Sequence, residues 1–461
     1  MILCLDPDLG KTAPADNAHQ LRPREAAVPR ARCVQMCVCA TALGSLCALG
    51  EPARANSGLR FSEPEISVLE HNTLRLFDLG EQANARILSL HREANRITTN
   101  AVVAMSLLTQ SIVAAGALPS NATLADLNGD GIRDLFVINP SQNKARLYVG
   151  TAGGGFAPPV LFDLPAGASG VAALNTNQVT RAIGVSHPAT GKVSIFQRLP
   201  DGSLQATPTT LTVGGTPLDL VSADFNANGH PDIITIDHFA NTVRIWHAGP
   251  SGYTFAGTAP VGSRPTTISI GDLTSNGRPD VVTSDSNSGS LTVLQNTGSG
   301  TFTTLATLGA GVQPGRAVIV DLDQDGRADI GVPLTGENAI AVFRNEGNGV
   351  FTRTVVPLEW RPLSLVAIDI DDDGLPDLVV SARDNAEIAI LRNLTEPPTG
   401  ICPGDVNGDL YVNLADFIIM ASHFGASVPV GTNGDLNWDG MVDLADFIIL
   451  AANFGIVCGE F

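Results

Sequence analysis

From residue 60 to about 395 the chain alternates short apolar runs of four to six residues with polar breaks rich in Gly, Asn and Asp. Asp232-Ile-Ile-Thr-Ile is followed by Asn241-Thr-Val-Arg-Ile-Trp, and Asp377-Leu-Val-Val-Ser by Glu387-Ile-Ala-Ile-Leu. Runs of this length, rich in Val and Ile and bounded by turn residues, predict strands. The pairs lead into Gly-rich turns that close on an aromatic, as in Gly153-Gly-Gly-Phe156, Gly298-Ser-Gly-Thr-Phe302 and Gly347-Asn-Gly-Val-Phe351. Two stretches depart from this rhythm. Met36–Gly50 is a continuous apolar run, and beyond residue 400 two apolar runs predict amphipathic helices.

The polar breaks repeat. Asp126-Leu-Asn-Gly-Asp-Gly-Ile-Arg-Asp-Leu135 recurs in variant form from Asp224, Asp272, Asp321 and Asp369. The last four starts are separated by 48, 49 and 48 residues, and the gap of 98 after Asp126 leaves room for one more copy. Ala173–Ala182 falls there with Arg181 in place of the final Asp, and Asp78–Ile87 lies one step before Asp126 with Arg86 in that place. A proline stands seven residues before each intact copy (Pro119, Pro217, Pro265, Pro314, Pro362), and neither degraded copy has one. Seven units of 48 residues account for residues 60–395. Four short strands per unit, repeated around an axis, predict an all-β seven-bladed β-propeller. The last unit lacks a fourth strand, so Phe61–Leu69 is expected to complete it and close the ring. A stacked open solenoid is the rival, but it needs capping repeats, and the sequence offers none. The uncharged stretch 101–118 approaches spanning length, yet the repeat register cuts it into strands.

Each decapeptide places side-chain oxygens at positions 1, 3, 5 and 9, with Gly at position 6 and a backbone carbonyl at position 7. Hard oxygen ligands on a tight loop suit Ca²⁺ better than Mg²⁺, which demands a tighter octahedron and keeps more water. The candidate ligands are Asp126, Asn128, Asp130 and Asp134; Asp224, Asn226, Asn228 and Asp232; Asp272, Thr274, Asn276 and Asp280; Asp321, Asp323, Asp325 and Asp329; and Asp369, Asp371, Asp373 and Asp377. Affinity should fall with carboxylate count, making the loops from Asp321 and Asp369 the tightest. At the degraded copies, Arg86 and Arg181 are expected to set a guanidinium where the cation would sit. These motifs resemble the FG-GAP or VCBS repeats known from the ring domain of integrin α-subunits. The resemblance spans about residues 60–395 and implies up to five structural Ca²⁺ ions, with partners binding elsewhere on the ring.

After a short linker (396–400), two near-copies stand 30 residues apart, Gly404–Met420 and Gly434–Leu450. Each reads as a 12-position calcium loop running into a helix. The ligands are Asp405, Asn407, Asp409, Asn413 and Asp416 in the first loop, and Asp435, Asn437, Asp439, Asp443 and Asp446 in the second. Leu410 stands at position 6 where the second loop has Gly440, so the first loop should be strained and bind more weakly. The duplicated loop-helix is similar to a type I dockerin, which implies a small α-helical domain with up to two Ca²⁺ and a cohesin-like or surface-scaffold protein as partner. Leu414-Ala415 and Leu444-Ala445 depart from the hydroxyl residues many dockerins carry there. Phe417, Ile418, Phe447 and Ile448 are expected to form the core of this unit.

Met36–Gly50 follows basic residues and precedes Ala53-Arg54-Ala55, so residues 1–55 are expected to be a leader ending in a secretory signal peptide. Translation starts at Met1 or at Met36. The domains are then the leader, the propeller at 56–395, the linker, and the dockerin-like unit at 401–461. Five of the seven cysteines lie in the leader; Cys402 and Cys458 remain and bracket the tail. An even count in an exported chain favours one disulfide between them. No membrane-spanning segment is expected after leader removal.

The charge then takes on a specific meaning. The chain carries 46 acidic against 27 basic residues, a net −19, which argues against nucleic acid as a partner. Of the 41 acids beyond the leader, 22 are named ligands above, so much of the acidity belongs to cation loops. No G-x-S-x-G, H-E-x-x-H, P-loop or C-x-x-C pattern lies beyond the leader, and His187, His230, His238 and His247 fall in turns or strand ends. The sequence therefore points to a secreted, calcium-binding propeller that binds a protein or a glycan. An extracellular carbohydrate-active enzyme (a polysaccharide lyase or glycoside hydrolase on a propeller) and a lectin acting in polysaccharide degradation are the alternatives.

Overall fold

The computed structural model describes residues 59–395, apart from 70–72, 80–85, 104–105, 153, 177–178 and 372, and, in the tail, 404–407, 411–426, 428, 433–436 and 441–455. The leader, the linker, Cys402, Asp409, Leu410, Asn437, Asp439, Gly440 and Cys458 lie outside the described residues.

The described strands form seven antiparallel sheets of four. Blades 1 to 6 take their strands in sequence over residues 75–114, 121–163, 171–212, 217–260, 265–309 and 318–357. Blade 7 takes three from residues 362–391, and its outer strand is Glu65–Val68, paired antiparallel with Glu387–Leu391. This is the closure expected from the sequence. Around it, Leu394 N–H donates to the Arg60 carbonyl (2.8 Å), Arg60 N–H donates to Thr395 Oγ1 (3.0 Å), and Leu59 is buried among Leu322, Leu378 and Leu391. The first strand of blade 1 (Arg75–Asp78) lies against the first strand of blade 7 (Pro362–Ile368), so the inner strands complete a circle. The stretch 101–118 contributes to strands Arg96–Val103 and Ser106–Ala114 of blade 1, and no helix among the described residues is long and apolar enough to cross a membrane.

The sequence rhythm follows from the position of each strand in its blade. Second strands such as Asp232–Asp237, Asp280–Asp285, Asp329–Leu334 and Asp377–Ala382 are buried at every residue, because neighbouring blades cover both faces. Their side chains need not alternate, and the sequence reads as a solid apolar run. Outer strands such as Gly252–Pro260 are mostly exposed. Pro217, Pro265 and Pro362 each open an inner strand, and all five repeat prolines are buried. An inner strand is an edge, where a missing N–H costs no ladder bond.

The tail holds two helices, α1 (Leu414–His423) and α2 (Leu444–Asn453). Each begins with a reciprocal cap: the Asn413 and Asp443 side chains accept from Ala415 N–H and Ala445 N–H, while Asp416 and Asp446 accept from the cap residue's own N–H at 2.8 Å. The halves exchange backbone bonds: Gly425 N–H donates to the Val442 carbonyl and Gly455 N–H to that of Val412, each at 2.7 Å. The core is Val412, Met420, Val442 and Leu450. This corrects the expectation for the neighbouring residues: Phe417 is 36% exposed, Ile418 58%, Phe447 37% and Ile448 60%. Four apolar residues in a row, Phe-Ile-Ile-Met, do not fix which side of a helix faces inward. Asp416 and Asp446 do fix it, because their carboxylates bind the loop backbone and turn the residue four positions later, Met420 or Leu450, into the core.

Candidate metal centres

The five intact decapeptides lie between the first and second strands of blades 2, 4, 5, 6 and 7, all on one face of the ring. Their backbones share one conformation. Gly131, Gly229, Gly277, Gly326 and Gly374 at position 6 all have φ between +74° and +88°. Each donates its N–H to the carboxylate at position 1, at 2.9, 2.7, 2.6, 2.8 and 2.9 Å respectively. The N–H of position 7 donates to the side-chain oxygen at position 5 (2.8–3.0 Å), which turns these oxygens into the loop. Position 4 is also left-handed in the four loops where it is described, and in three of these the residue is not glycine: Ala227 (+58°), Ser275 (+51°) and Gln324 (+57°). That conformation is costly for a side chain and persists where the surroundings impose it.

The loops differ in charge. Oxygens of Asp321, Asp323 and Asp325 all lie within 4.8 Å of one another, as do those of Asp369, Asp371 and Asp373. Like charges so close repel unless protons or cations intervene. Burial, with Asp325 and Asp323 behind it, pushes Asp321 up to about 6. Arg344 contacts Asp323 and lies 3.6 Å from Asp325, which Arg327 also contacts, and Arg392 lies 3.7 Å from Asp371. The other three loops place an amide or a hydroxyl at position 3 (Asn128, Asn226, Thr274), and at position 5 two have an amide (Asn228, Asn276) and one the carboxylate of Asp130. A set of hard oxygens with left-handed turns holding it in place fits Ca²⁺. In the loops from Asp321 and Asp369 the side chains at positions 1, 3 and 5 would hold the ion, which would add positive charge to that of Arg327, Arg344 and Arg392.

Position 9 has a second role that the motif does not announce. Asp134, Asp232, Asp280, Asp329 and Asp377 are fully buried, and both oxygens of each accept backbone N–H groups. One oxygen takes the residue at position 2 (Leu127, Phe225, Leu273, Leu322 or Ile370; 2.9–3.1 Å), and the other takes the residue 16 positions on (Gly150, Ala248, Asn296, Asn345 or Asn393; 2.7–2.8 Å). Each ninth aspartate thus pins its loop to the end of the third strand. Burial pushes Asp329 up to about 8 and Asp377 and Asp232 to about 6.

From that anchor a clasp reaches the preceding blade. Asn296 Nδ2 donates to the Phe225 carbonyl (2.9 Å), Asn345 Nδ2 to Leu273 (2.8 Å) and Asn393 Nδ2 to Leu322 (2.6 Å). Blades 5, 6 and 7 are tied this way to the loops of blades 4, 5 and 6. The sequence carried a signal, an Asn 24 residues after the first Asp of each copy (272, 321, 369), but one amide at a strand end is easily passed over. Blades 2 and 3 use arginine instead: Arg133 donates to the Asp78 carbonyl (3.2 Å) and Arg198 to that of Asn128. Blade 4 has Ala248 at this place.

The degraded copies border pockets. A cleft of about 640 Å³ between blades 3 and 4 is lined by Arg181, Arg198, His230 and Tyr253, and one of about 190 Å³ between blades 1 and 2 by Arg86 and Arg133. Arg86 reaches across to the Gly-rich turn of blade 2 so closely that a Cβ on Gly154 would collide with it. The histidines are structural where they are bonded: His187 to Ser194 (2.9 Å), His238 to the Pro265 carbonyl (2.9 Å) and His247 to that of Gly300 (3.2 Å).

In the tail, Asp416 Oδ1 accepts from Val406 N–H (2.8 Å) and Asn407 N–H (3.1 Å), and Asp446 Oδ1 accepts from Leu436 N–H (2.7 Å). Asp405, Asn407, Asn413, Asp435 and Asp443 lie in the same two loops.

A family profile described as FG-GAP-like repeat matches residues 224–283, 272–332 and 334–380. No curated protein matches the chain. Among solved structures, a chain of the crystal structure of BBS1N in complex with ARL6DN is similar at 11% identity and TM-score 0.53, over 74% of this chain and 98% of that one. A streptogramin B lyase is similar at 14% identity and TM-score 0.50, over 72% and 97%. A candidate 6-phosphogluconolactonase from Bacteroides uniformis is similar at 15% identity and TM-score 0.50, over 62% and 85%. At these identities the likeness shows the fold alone. The chain carries FG-GAP-like repeats, matched across blades 4 to 7, in a seven-bladed β-propeller.

Proposed function

We propose that this is an exported, calcium-stabilised propeller that binds a protein or glycan partner and is tethered through a dockerin-like tail. The observation that carries the calcium reading is the convergence of three carboxylates in each of the loops from Asp321 and Asp369, on a backbone shared by five blades. The ions brace loops and perform no chemistry. The tail's paired apolar faces support the tether: Leu414 and Ile418 on α1 match Leu444 and Ile448 on α2, all 58–63% exposed. Two equivalent apolar faces suit a partner that covers either. Ala415 and Ala445 stand where many dockerins carry hydroxyl residues, so the partner is a surface or scaffold protein that reads an apolar face.

Metal analysis and calorimetry test the first part. The full chain should bind at most seven Ca²⁺, and a chelator should lower Tm by about 10 °C or more, as loss of several tight ligands does. Unchanged metal content and Tm after chelation would overturn it. A polysaccharide screen separates the partner classes: retention without turnover supports the glycan, and release of reducing ends or unsaturated sugars supports a carbohydrate-active enzyme instead.

A further inference from the structure

A cavity of about 550 Å³ is lined by residues of the inner strands of blades 1, 2 and 7 and by residues at the inner edge of blades 5 and 6. Arg75, on the inner strand of blade 1, faces it. Among the described residues the Arg75 guanidinium makes no hydrogen bond and no ion pair, and it lies over the Phe77 ring, 5.0 Å from the centroid. Arg316, on the same cavity, is different. It donates to the Ile268 carbonyl (2.6 Å) and pairs with the buried Asp219, whose Oδ2 also accepts from Ile268 N–H (3.2 Å). Three arginines, Arg75, Arg133 and Arg316, line the cavity with one carboxylate, Asp78, and the buried Asp219 is committed to Arg316. Burial, with the Arg316 charge behind it, pulls Arg75 down to about 9 from 12.5, and the group still carries its charge at neutral pH. The half-buried guanidinium rests on a ring face, and an anion would supply the charge-assisted hydrogen bonds that this contact does not. Ser120 lines the cavity too, and its buried Oγ has no hydrogen-bond partner.

The geometry points to a binding site on the inner edge of the ring for a small oxyanion-bearing molecule, a carboxylate or a phosphate ester, received by Arg75 with Ser120 beside it. The volume is within the range of small-molecule sites. A planar guanidinium fork with both edges unengaged matches an oxyanion. The inference does not rest on calcium, since Arg75 belongs to a blade whose decapeptide is degraded, and it adds a small ligand to a reading that concerns a macromolecular partner.

Isothermal titration of the calcium-loaded full chain with D-glucuronate and with glycerol 3-phosphate tests it, and the preferred probe identifies the source of the oxyanion. Saturable one-to-one binding of either is expected. Arg75→Gln should weaken it tenfold or more with Tm little changed, and Arg75→Lys, which keeps the charge but loses the planar fork, should weaken it less than Arg75→Gln does. Thr123→Asp, which sets a carboxylate on the same cavity without touching Arg75, should also weaken binding tenfold or more, so the test survives if Arg75→Gln fails to fold. Absence of saturable binding by both probes, or wild-type affinity in Arg75→Gln or Thr123→Asp, would overturn the proposal.

Discussion

Blades 5 to 7 and blades 1 and 3 have the same four-strand order, yet they are held together differently. In blades 5 to 7 an Asp-rich loop, a buried aspartate and an asparagine clasp form one connected unit: the loop is pinned to its own third strand and then to the loop before it. In blades 1 and 3 an arginine replaces the aspartate, and pockets lie where these blades meet their successors. The same architecture thus tolerates two ways of filling the space between neighbours. One is rigid and charged, and the other is open and cationic. The difference teaches that the decapeptide does two jobs. It gathers oxygens where we propose that an ion sits, and it supplies the carboxylate that organises the blade boundary.

The largest effect separating the two kinds of blade should come from pH in the chelated protein. Asp329 is pushed up to about 8, and Asp321 and Asp377 to about 6, from an ordinary 3.8. Between pH 4 and 8 the metal-free native state then holds more protons than the unfolded chain. Its stability should be greatest at the acid end and fall as pH rises through 6 towards 8. Calcium reverses the slope, because the ion needs ionised ligands and is released by acid. Thermal melts from pH 5 to 8, with calcium and with chelator, should therefore cross. Parallel curves would show that these carboxylates do not act as the cluster described.

A smaller effect, confined to one blade, tests the second job. Asp329→Asn keeps the shape but offers one acceptor where two backbone N–H groups, of Leu322 and Asn345, require one each. A buried donor left facing an amide NH₂ should cost about 3 kcal/mol in the calcium-loaded protein. Arg181→Ala in blade 3 should change stability by less than about 0.5 kcal/mol, since its side chain is exposed. Denaturant melts of the two variants check the contrast, and equal losses would erase the distinction between the blades.

Much of this was legible in the chain. The period of 48, the prolines and the stray run at Phe61–Leu69 predict the ring and its closure, because a repeat states its geometry seven times. The left-handed turn at position 6 has its signal in the glycine that every intact copy carries there. What stayed hidden depended on contacts between units. The Asn296, Asn345 and Asn393 clasps join residues about 71 apart, and no local pattern shows the acceptor. The exposed side of α1 and α2 is hidden from the sequence for a related reason. Hydrophobicity indicated that a helix was amphipathic, but the inward side was set by a carboxylate bonding to backbone ten residues earlier.

The smallest effect concerns the clasp itself. Asn345 Nδ2 donates to the Leu273 and Ala328 carbonyls, its Oδ1 accepts from Gly347 N–H, and the residue is 1% exposed. Asn345→Ala removes these bonds but leaves the Asp329 anchor, which uses only the backbone N–H of residue 345. The loss should be about 1–2 kcal/mol, less than at Asp329, with bound calcium unchanged. Blade 4 already makes the point that such a boundary survives: Ala248 keeps the backbone bond to Asp232 at 2.7 Å without an amide side chain, and a cleft opens beside it. If Asn345→Ala instead lost calcium from the loop beginning at Asp321, the clasp and the ion would be one device rather than two. The arginine blades would then be boundaries that had given up both together.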